Sequence, residues 1–314
     1  MLPLCGLKPK IGGVEVKGER NLKDLHHSHD IIGQLIQWAE QQESVRAMLL
    51  TSTRANPTAD KDVLSDYDVV LVVQDIHPFF EDRTWLQNFG QVLVVYCDPI
   101  HLAPGYGIEM FANVTQYEDG LKIDFSLWPV ELLRLIAEDP VLPPYLDVGY
   151  TVLLDKDHLT EALKAPAYTA YIPSPPAEAA YLAVVENFFS DAPYVAKHLW
   201  RHELMPAKYS LDSVMKHKYL RQMLEWRMEI DLDWSVKTGV LGKGLKKQLP
   251  PEIWAELEST YVGAGIEENW GALFNTIDLF RKVATQVGDD LGYEYPQHLH
   301  ERVVDYLQRV KRMH

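Results

Sequence analysis

Cysteine is nearly absent: only Cys5 and Cys97 occur in 314 residues. Two thiols so far apart make no disulfide framework of the kind that staples small secreted proteins, and they read as reduced thiols of a cytoplasmic chain. Positive charge is also short, with 30 Lys and Arg against 45 Asp and Glu and a formal charge of -15. That deficit argues against a basic nucleic-acid-binding face and least favours template polymerisation; it suits a cationic partner. No apolar run is long enough to span a bilayer, and the opening MLPLCGLKPKIGG is broken by Pro and Gly, so neither a signal peptide nor a membrane anchor is expected. The chain lacks a GxxxxGK[ST] phosphate loop, internal repeats and low-complexity tracts, and nothing in it implies an obligate protein partner.

What is present changes rhythm partway along. In HDIIGQLIQWAEQQ, Ile32, Leu35, Ile36 and Ala39 share one helical face. VRAMLLTST then reads as a strand, RANPTADKDVLSD as a loop and YDVVLVV as a second strand. A short helix is expected around FFEDRTWLQNF, and strands at QVLVVYCD, YGIEMFANVT, GLKIDFSLW and YTVLLDKD. PVELLRLIAED reads as a helix with Pro129 in its first turn. From YIPSPPAEAA onward the pattern is helical. Ala180, Val184 and Phe188 recur every four residues, as do Leu220, Leu224 and Met228, and Trp270, Leu273, Phe274, Ile277 and Phe280 form another stripe. GVLGKGLKKQL reads as a turn or helix start. The expected organisation is an α/β domain over residues 1–165 and a helical domain over 166–314, with the boundary near Ala165.

The chemistry-bearing pattern begins in SDYDVVLVV. Asp66 and Asp68 lie two residues apart where a strand starts, so both can point to one side. In LKIDFSL, Leu121, Ile123, Phe125 and Leu127 share one face while Lys122, Asp124 and Ser126 share the other. A carboxylate in mid-strand is costly unless solvated, paired or bound to a cation. If the two strands are neighbours, three carboxylates converge. Such a set suits Mg²⁺, and two ions roughly 4 Å apart serve phosphoryl or nucleotidyl transfer. An ordinary acidic turn with polar edge residues accounts for the same spacing. Upstream, TSTRAN supplies Ser52, Thr53 and Arg54 after a strand; hydroxyls and backbone N–H groups there can hold triphosphate oxygens, and Arg54 can add charge or brace the turn.

Taken in order, these segments resemble the aminoglycoside 6-adenylyltransferases (streptomycin adenylyltransferases) of the nucleotidyltransferase superfamily. In that family a Gly-Ser-Arg turn precedes an Asp-Tyr-Asp pair, and a third Asp lies in an IDLTL-like strand. Here the matching positions are Ser52, Thr53 and Arg54, then Asp66, Tyr67 and Asp68, then Asp124. The likeness runs on through QDIHPFFEDRTWLQNFG, PYVAKHLWRHEL, LRQMLEW and ENWGALFNTIDLFR, nearly the whole chain. It implies an α/β nucleotidyltransferase domain with a mixed sheet followed by an all-helical C-terminal domain that binds the substrate. It also implies ATP as co-substrate, a cationic aminoglycoside as acceptor, Asp66, Asp68 and Asp124 as Mg²⁺ ligands and catalytic residues, and Ser52, Thr53 and Arg54 as nucleotide contacts.

Asp124 is the first choice for general base, ahead of Glu178 and Glu186. Lys197, Arg201 and Glu203 match the polar positions of a helical YVxKxxxRxE segment and are candidate substrate contacts, with Glu178, Glu186 and Asn187. Two departures stand out. Ser52 replaces the family's glycine, which brings strain if φ is positive there. The family's NEFW stretch appears as ENFF, so its acid becomes Asn187 while an acid appears at Glu186, about 100° round the helix. The alternatives to aminoglycoside adenylylation are nucleotidyl transfer to another small hydroxyl compound and a catalytically weakened nucleotide- or small-molecule-binding homologue.

Overall fold

The computed structural model describes residues 30–313, so Cys5 and the opening segment lie outside the described residues. The chain divides into two compact units after Tyr168.

The first unit is built on seven strands: β1 Val45–Thr51, β2 Tyr67–Val73, β3 Val92–Cys97, β4 His101–Leu102, β5 Glu109–Tyr117, β6 Lys122–Pro129 and β7 Tyr150–Asp155. Their order is β3-β5-β6-β2-β1-β7, with β4 on β5. The sheet is mixed: β2 and β6 run parallel, and the other pairs are antiparallel. β2 is central, and all five residues from Val69 to Val73 are buried, as a strand covered on both faces requires. Val69, Leu71 and Val73 join the layer containing Leu35, Trp38 and Phe125, on the side of the helix Ile31–Gln41. Val70 and Val72 join Leu49, Trp128 and Leu132 on the side of the helix Val130–Glu138. Strand alternation therefore places Asp68 on the same face as Val70 and Val72, beyond the cover of that second layer.

Three sequence expectations are refined. The first helix buries Ile31, Leu35, Trp38 and Ala39 and leaves Ile32 and Ile36 half-buried, because bulky Trp38 turns the seam toward itself. The region FFEDRTWLQNF is two short elements, His77–Glu81 and a 3-10 turn Thr84–Phe89, because the Asp82 carboxylate accepts from Thr84 N–H and closes a turn between them. Pro129 ends β6 and stands at the N-cap of the helix Val130–Glu138, one position ahead of its first turn.

The second unit is helical, with Glu178–Trp200, Leu204–Lys208, a π-helical stretch Tyr209–Leu220, Arg221–Asp231, Pro251–Ser259, Ile266–Leu291 and Gln297–Arg312. GVLGKGLKKQL forms a 3-10 turn Val240–Gly242 and then a helix beginning at Leu245, after Gly244. Leu220, Leu224 and Met228 are all buried, as are Trp270, Leu273, Ile277 and Phe280. In the helix Glu178–Trp200 Phe188 is buried and Val184 packs half-buried against the core as expected, while Ala180 is exposed and Tyr181, Val185, Ala192, Val195 and Leu199 complete the seam. The Tyr181 hydroxyl donates to Ala284 O at 2.9 Å and fixes that rotation. Among the described residues no helix is long and apolar enough to cross a membrane.

Candidate active site

β2 and β6 are neighbours, and their parallel register pairs Asp68 directly with Asp124. Asp66 precedes β2 by one residue, and Lys122 lies two residues before Asp124 on the same face of β6. Lys122 Nζ donates to Asp66 Oδ2 at 2.6 Å and to Asp124 Oδ2 at 2.8 Å. One ammonium thus bridges two of the three carboxylates. Lys122 appeared in the sequence only as a member of the polar face of β6; its bridging role needed the strand pairing. Asp124 Oδ1 is buried with no hydrogen-bond partner.

The electrostatics follow from that geometry. Burial, then the Asp124 and Asp66 charges, push Asp68 up to about 6; the hydrogen bond from Ser52 and the Lys122 charge act in the opposite direction. Asp124 is raised, chiefly by burial and further by Asp66, against the pull of Lys122. Burial works against the Lys122 ammonium, yet its bonds to Asp124 and Asp66 hold its pKa above the ordinary lysine value. The strand mouth is under-supplied with positive charge. Among the described residues no three His, Cys, Asp or Glu side chains are already gathered as a metal-ligand set. The donor set nevertheless fits a hard divalent cation: it is all oxygen, Asp124 keeps one buried oxygen unpartnered, and Asp68 stands against two like charges.

The turn after β1 stands beside these carboxylates. Thr51 pairs with Asp68 across β1 and β2, and the chain then folds into the single helical turn Ser52–Ala55. Ser52 has φ +62°, and its N–H donates to Gly149 O at 3.1 Å. A side chain in this left-handed region is strained by about 1–2 kcal/mol, which answers the question raised by the glycine-to-serine difference: φ is indeed positive there. The Ser52 side chain is turned to account by its hydrogen bond to Asp68. Gly149 has φ +124°, and a Cβ there would come within 3.3 Å of the Asn56 backbone. This close approach of β7 to the turn had no sequence signal beyond a glycine next to a strand.

Arg54 braces the loop. Its guanidinium lies 3.7 Å over the Tyr67 ring, with Nε donating to Asp66 O at 3.0 Å and Nη2 to Ser65 O at 2.6 Å. Of the two roles open to it, this geometry serves the structural one: it holds the Asp66 backbone in place. Thr53 lies within the same turn, half-buried.

The remaining candidates belong to the second unit. Glu178 lies in the first turn of the helix Glu178–Trp200, and Glu186, Asn187 and Lys197 are exposed along it; Arg201 is its exposed C-cap. Glu203 Oε2 bonds His198 Nδ1 at 2.6 Å, and Lys197 Nζ sits 5.1 Å from the Tyr194 ring centroid. Glu186 and Lys197 lie on the same helix face three turns apart, too far to pair with each other.

Paired strand-mouth carboxylates beside a hydroxyl-bearing turn on a mixed sheet fit a nucleotidyltransferase, and comparison with known proteins places the chain in that class. A sequence profile of the streptomycin adenylyltransferase family matches residues 25–310, and the chain belongs to that family. It is 30% identical to an aminoglycoside 6-adenylyltransferase of Bacillus subtilis (strain 168) over 264 residues, 84% of this chain and 90% of the relative. It is 27% identical to a protein of the same name from Campylobacter jejuni over 286 residues, covering 90% and 94% respectively. The crystal structure of an aminoglycoside 6-adenyltransferase from Bacillus subtilis aligns with 93% of this chain and 99% of its own, at 25% identity and a TM-score of 0.44.

Proposed function

We propose that this enzyme transfers AMP from ATP to a hydroxyl of an aminoglycoside, with streptomycin, at a hydroxyl of its streptidine ring, as the preferred acceptor. The observation that carries the reading is the in-register pair Asp68 and Asp124 beside the Ser52 turn, in a chain that matches the family over residues 25–310. Asp66, Asp68 and Asp124 would hold Mg²⁺, which when bound neutralises charge on the triphosphate and on the departing pyrophosphate. Ser52 and Thr53 offer hydroxyl and backbone donors to phosphate oxygens, and Arg54 keeps the Asp66 segment in position. An acceptor hydroxyl oxygen attacks the α-phosphorus, the bond to the bridging oxygen breaks, and pyrophosphate leaves with that electron pair. Asp124 is the carboxylate we assign to take the hydroxyl proton, within hydrogen-bond reach of an acceptor arriving over β6.

Pyrophosphate release across a panel of aminoglycosides and simple alcohols, with mass spectrometry of the products, tests this. An AMP adduct on streptomycin is expected. Release only with other alcohols would move the enzyme to a different acceptor class. The strained Ser52 favours one second reading, a homologue that binds nucleotide but turns over poorly. It predicts tight Mg-ATP binding without product, and recovery of activity in the Ser52→Gly, Asn187→Glu double variant.

A further inference from the structure

The row of residues that contains the carboxylates does not end at Asp124. Residues paired across adjacent strands point to the same face of a sheet. Thr51 pairs with Asp68, Asp68 with Asp124, Asp124 with Val114 on β5, and Val114 with Tyr96 on β3. One face therefore carries, in order, the strand end leading to Ser52, the two carboxylates, a valine and a tyrosine. The next row runs Lys122, Gln116, Val94. Neighbouring strands are spaced by about 4.8 Å, which puts Tyr96 roughly 10 Å from Asp124 along the row.

Tyr96 is 64% exposed and Val94 59% exposed, whereas Val95 and Cys97, on the opposite face of β3, pack against the core. An edge strand usually protects itself with charged or inward-turned residues. Here the face shared with the carboxylates presents a bare aromatic ring and an isopropyl group. The alternation of β3 continues to Asp98, whose N–H donates to Ala112 O, so a carboxylate follows Tyr96 on the same face.

The direction of the reaction selects the occupant of this surface. In an in-line displacement the attacking oxygen and the leaving pyrophosphate lie on opposite sides of the α-phosphorus. If the triphosphate lies on the Ser52–Thr53 turn at the β1 side, pyrophosphate departs toward β1. The acceptor hydroxyl then arrives over Asp124 from the β5 and β3 side, and the body of the acceptor lies over Val114 and Tyr96. We infer that Tyr96, with Val94 and Val114, is the platform on which a cationic, polyhydroxylated ring of the acceptor rests. The ring face of tyrosine attracts an ammonium or guanidinium group, the apolar sugar or cyclitol face covers the valines, and Asp98 adds a counter-charge at the rim. This inference rests on the adenylyl-transfer reading above and adds the residue that selects the acceptor.

Steady-state kinetics of Tyr96→Ala and Tyr96→Phe, with ATP and acceptor varied separately, test it. Tyr96→Ala is expected to raise the acceptor KM about tenfold with the ATP KM within twofold, and Tyr96→Phe to restore the acceptor KM. Calorimetric titration of streptomycin into each variant without ATP should show the same loss and the same rescue, and thermal melts should coincide with wild type. An unchanged acceptor KM in Tyr96→Ala, with wild type active, removes the platform and leaves the adenylyl-transfer reading intact. A rise confined to the ATP KM assigns the tyrosine to the nucleotide base and likewise overturns the inference. Wild-type silence across the whole acceptor panel, with no streptomycin binding, sinks the functional reading and the platform together.

Discussion

The two units handle buried charge in opposite ways. In the helical unit Lys216, whose side chain is fully covered, donates to Asp212 Oδ1 at 2.7 Å and to Thr260 O at 2.5 Å. Asp212 also receives Lys208 at 2.7 Å, and Arg221 pairs with Glu225 one turn on at 2.5 Å. These charges are answered locally, and they hold the π-helical stretch to its neighbours. At the mouth of β2 and β6 one lysine bonds two of three carboxylates, and an oxygen of Asp124 is left over. A fold tolerates an unanswered buried charge where a ligand answers it, which is how the contrast separates scaffold from site. Glu229 is the helical unit's exception: it is wholly buried, both of its carboxylate oxygens lie out of solvent without a side-chain partner, and burial, then Glu225, raise its pKa.

The largest effect expected from breaking this contrast is on turnover. Asp68→Asn and Asp124→Asn should each lower the rate of pyrophosphate release about 10³-fold or more, while circular dichroism and melting show folded protein. A near-wild-type rate in either variant would remove that residue from the catalytic set. Lys216→Met should act in the other currency, stability. It strands Thr260 O and costs about 2 kcal/mol, read as a Tm loss of roughly 5 °C, with ATP binding by the remaining folded protein unchanged.

The next effect depends on pH. The folded-state pKa of Asp68, about 6, lies above its ordinary value of 3.8. Its favourable contribution is therefore fully present below the ordinary value and is lost as pH rises through about 6. Metal-free Asp68→Asn should melt above wild type at pH 7.5, by up to about 2 kcal/mol, and the gap should narrow as pH falls and close only below the ordinary value of 3.8. A gap that is constant with pH would show that the Asp68 carboxyl is not raised in the folded protein. Ser52→Gly comes next: releasing the positive-φ strain should add about 1 kcal/mol of stability, measured by denaturant midpoint, while loss of its bond to Asp68 raises that carboxyl further. The smallest change is expected for Glu229→Gln, a gain of under about 1 kcal/mol above pH 7 that vanishes in acid, because burial disfavours only the charged form. A loss of stability there would mean that the glutamate is held by contacts stronger than its desolvation.

The alternation of YDVVLVV and KIDFSL was enough to put Asp66, Asp68 and Asp124 forward, because period-two patterns state which side chains share a face before any strand is paired. Lys122 was visible as a member of that face, yet its bridge from Asp66 to Asp124 was not, since it spans two segments 56 residues apart. Gly149 and Tyr96 carried no motif at all. One matters because β7 brings its backbone against the turn after β1, the other because β3 comes to lie two strands from β6. In the helix Glu178–Trp200 the four-residue repeat locates Phe188 and Val184 against the core but not Ala180, whose place Tyr181 takes by reaching Ala284.

By itself the sequence determined the local choices: an α/β half followed by a helical half, three acids able to face one way, and a hydroxyl turn before them. Those follow from periodicity and turn chemistry, which act over a few residues. Tertiary structure alone decided that β2 and β6 run parallel with Asp68 opposite Asp124, that Ser52 is held at positive φ by Gly149, and that a single ammonium bridges Asp66 and Asp124 beside Asp68. Strand pairing, register and burial depend on contacts between distant segments, and it is burial that raises Asp68 and Asp124 above ordinary aspartates.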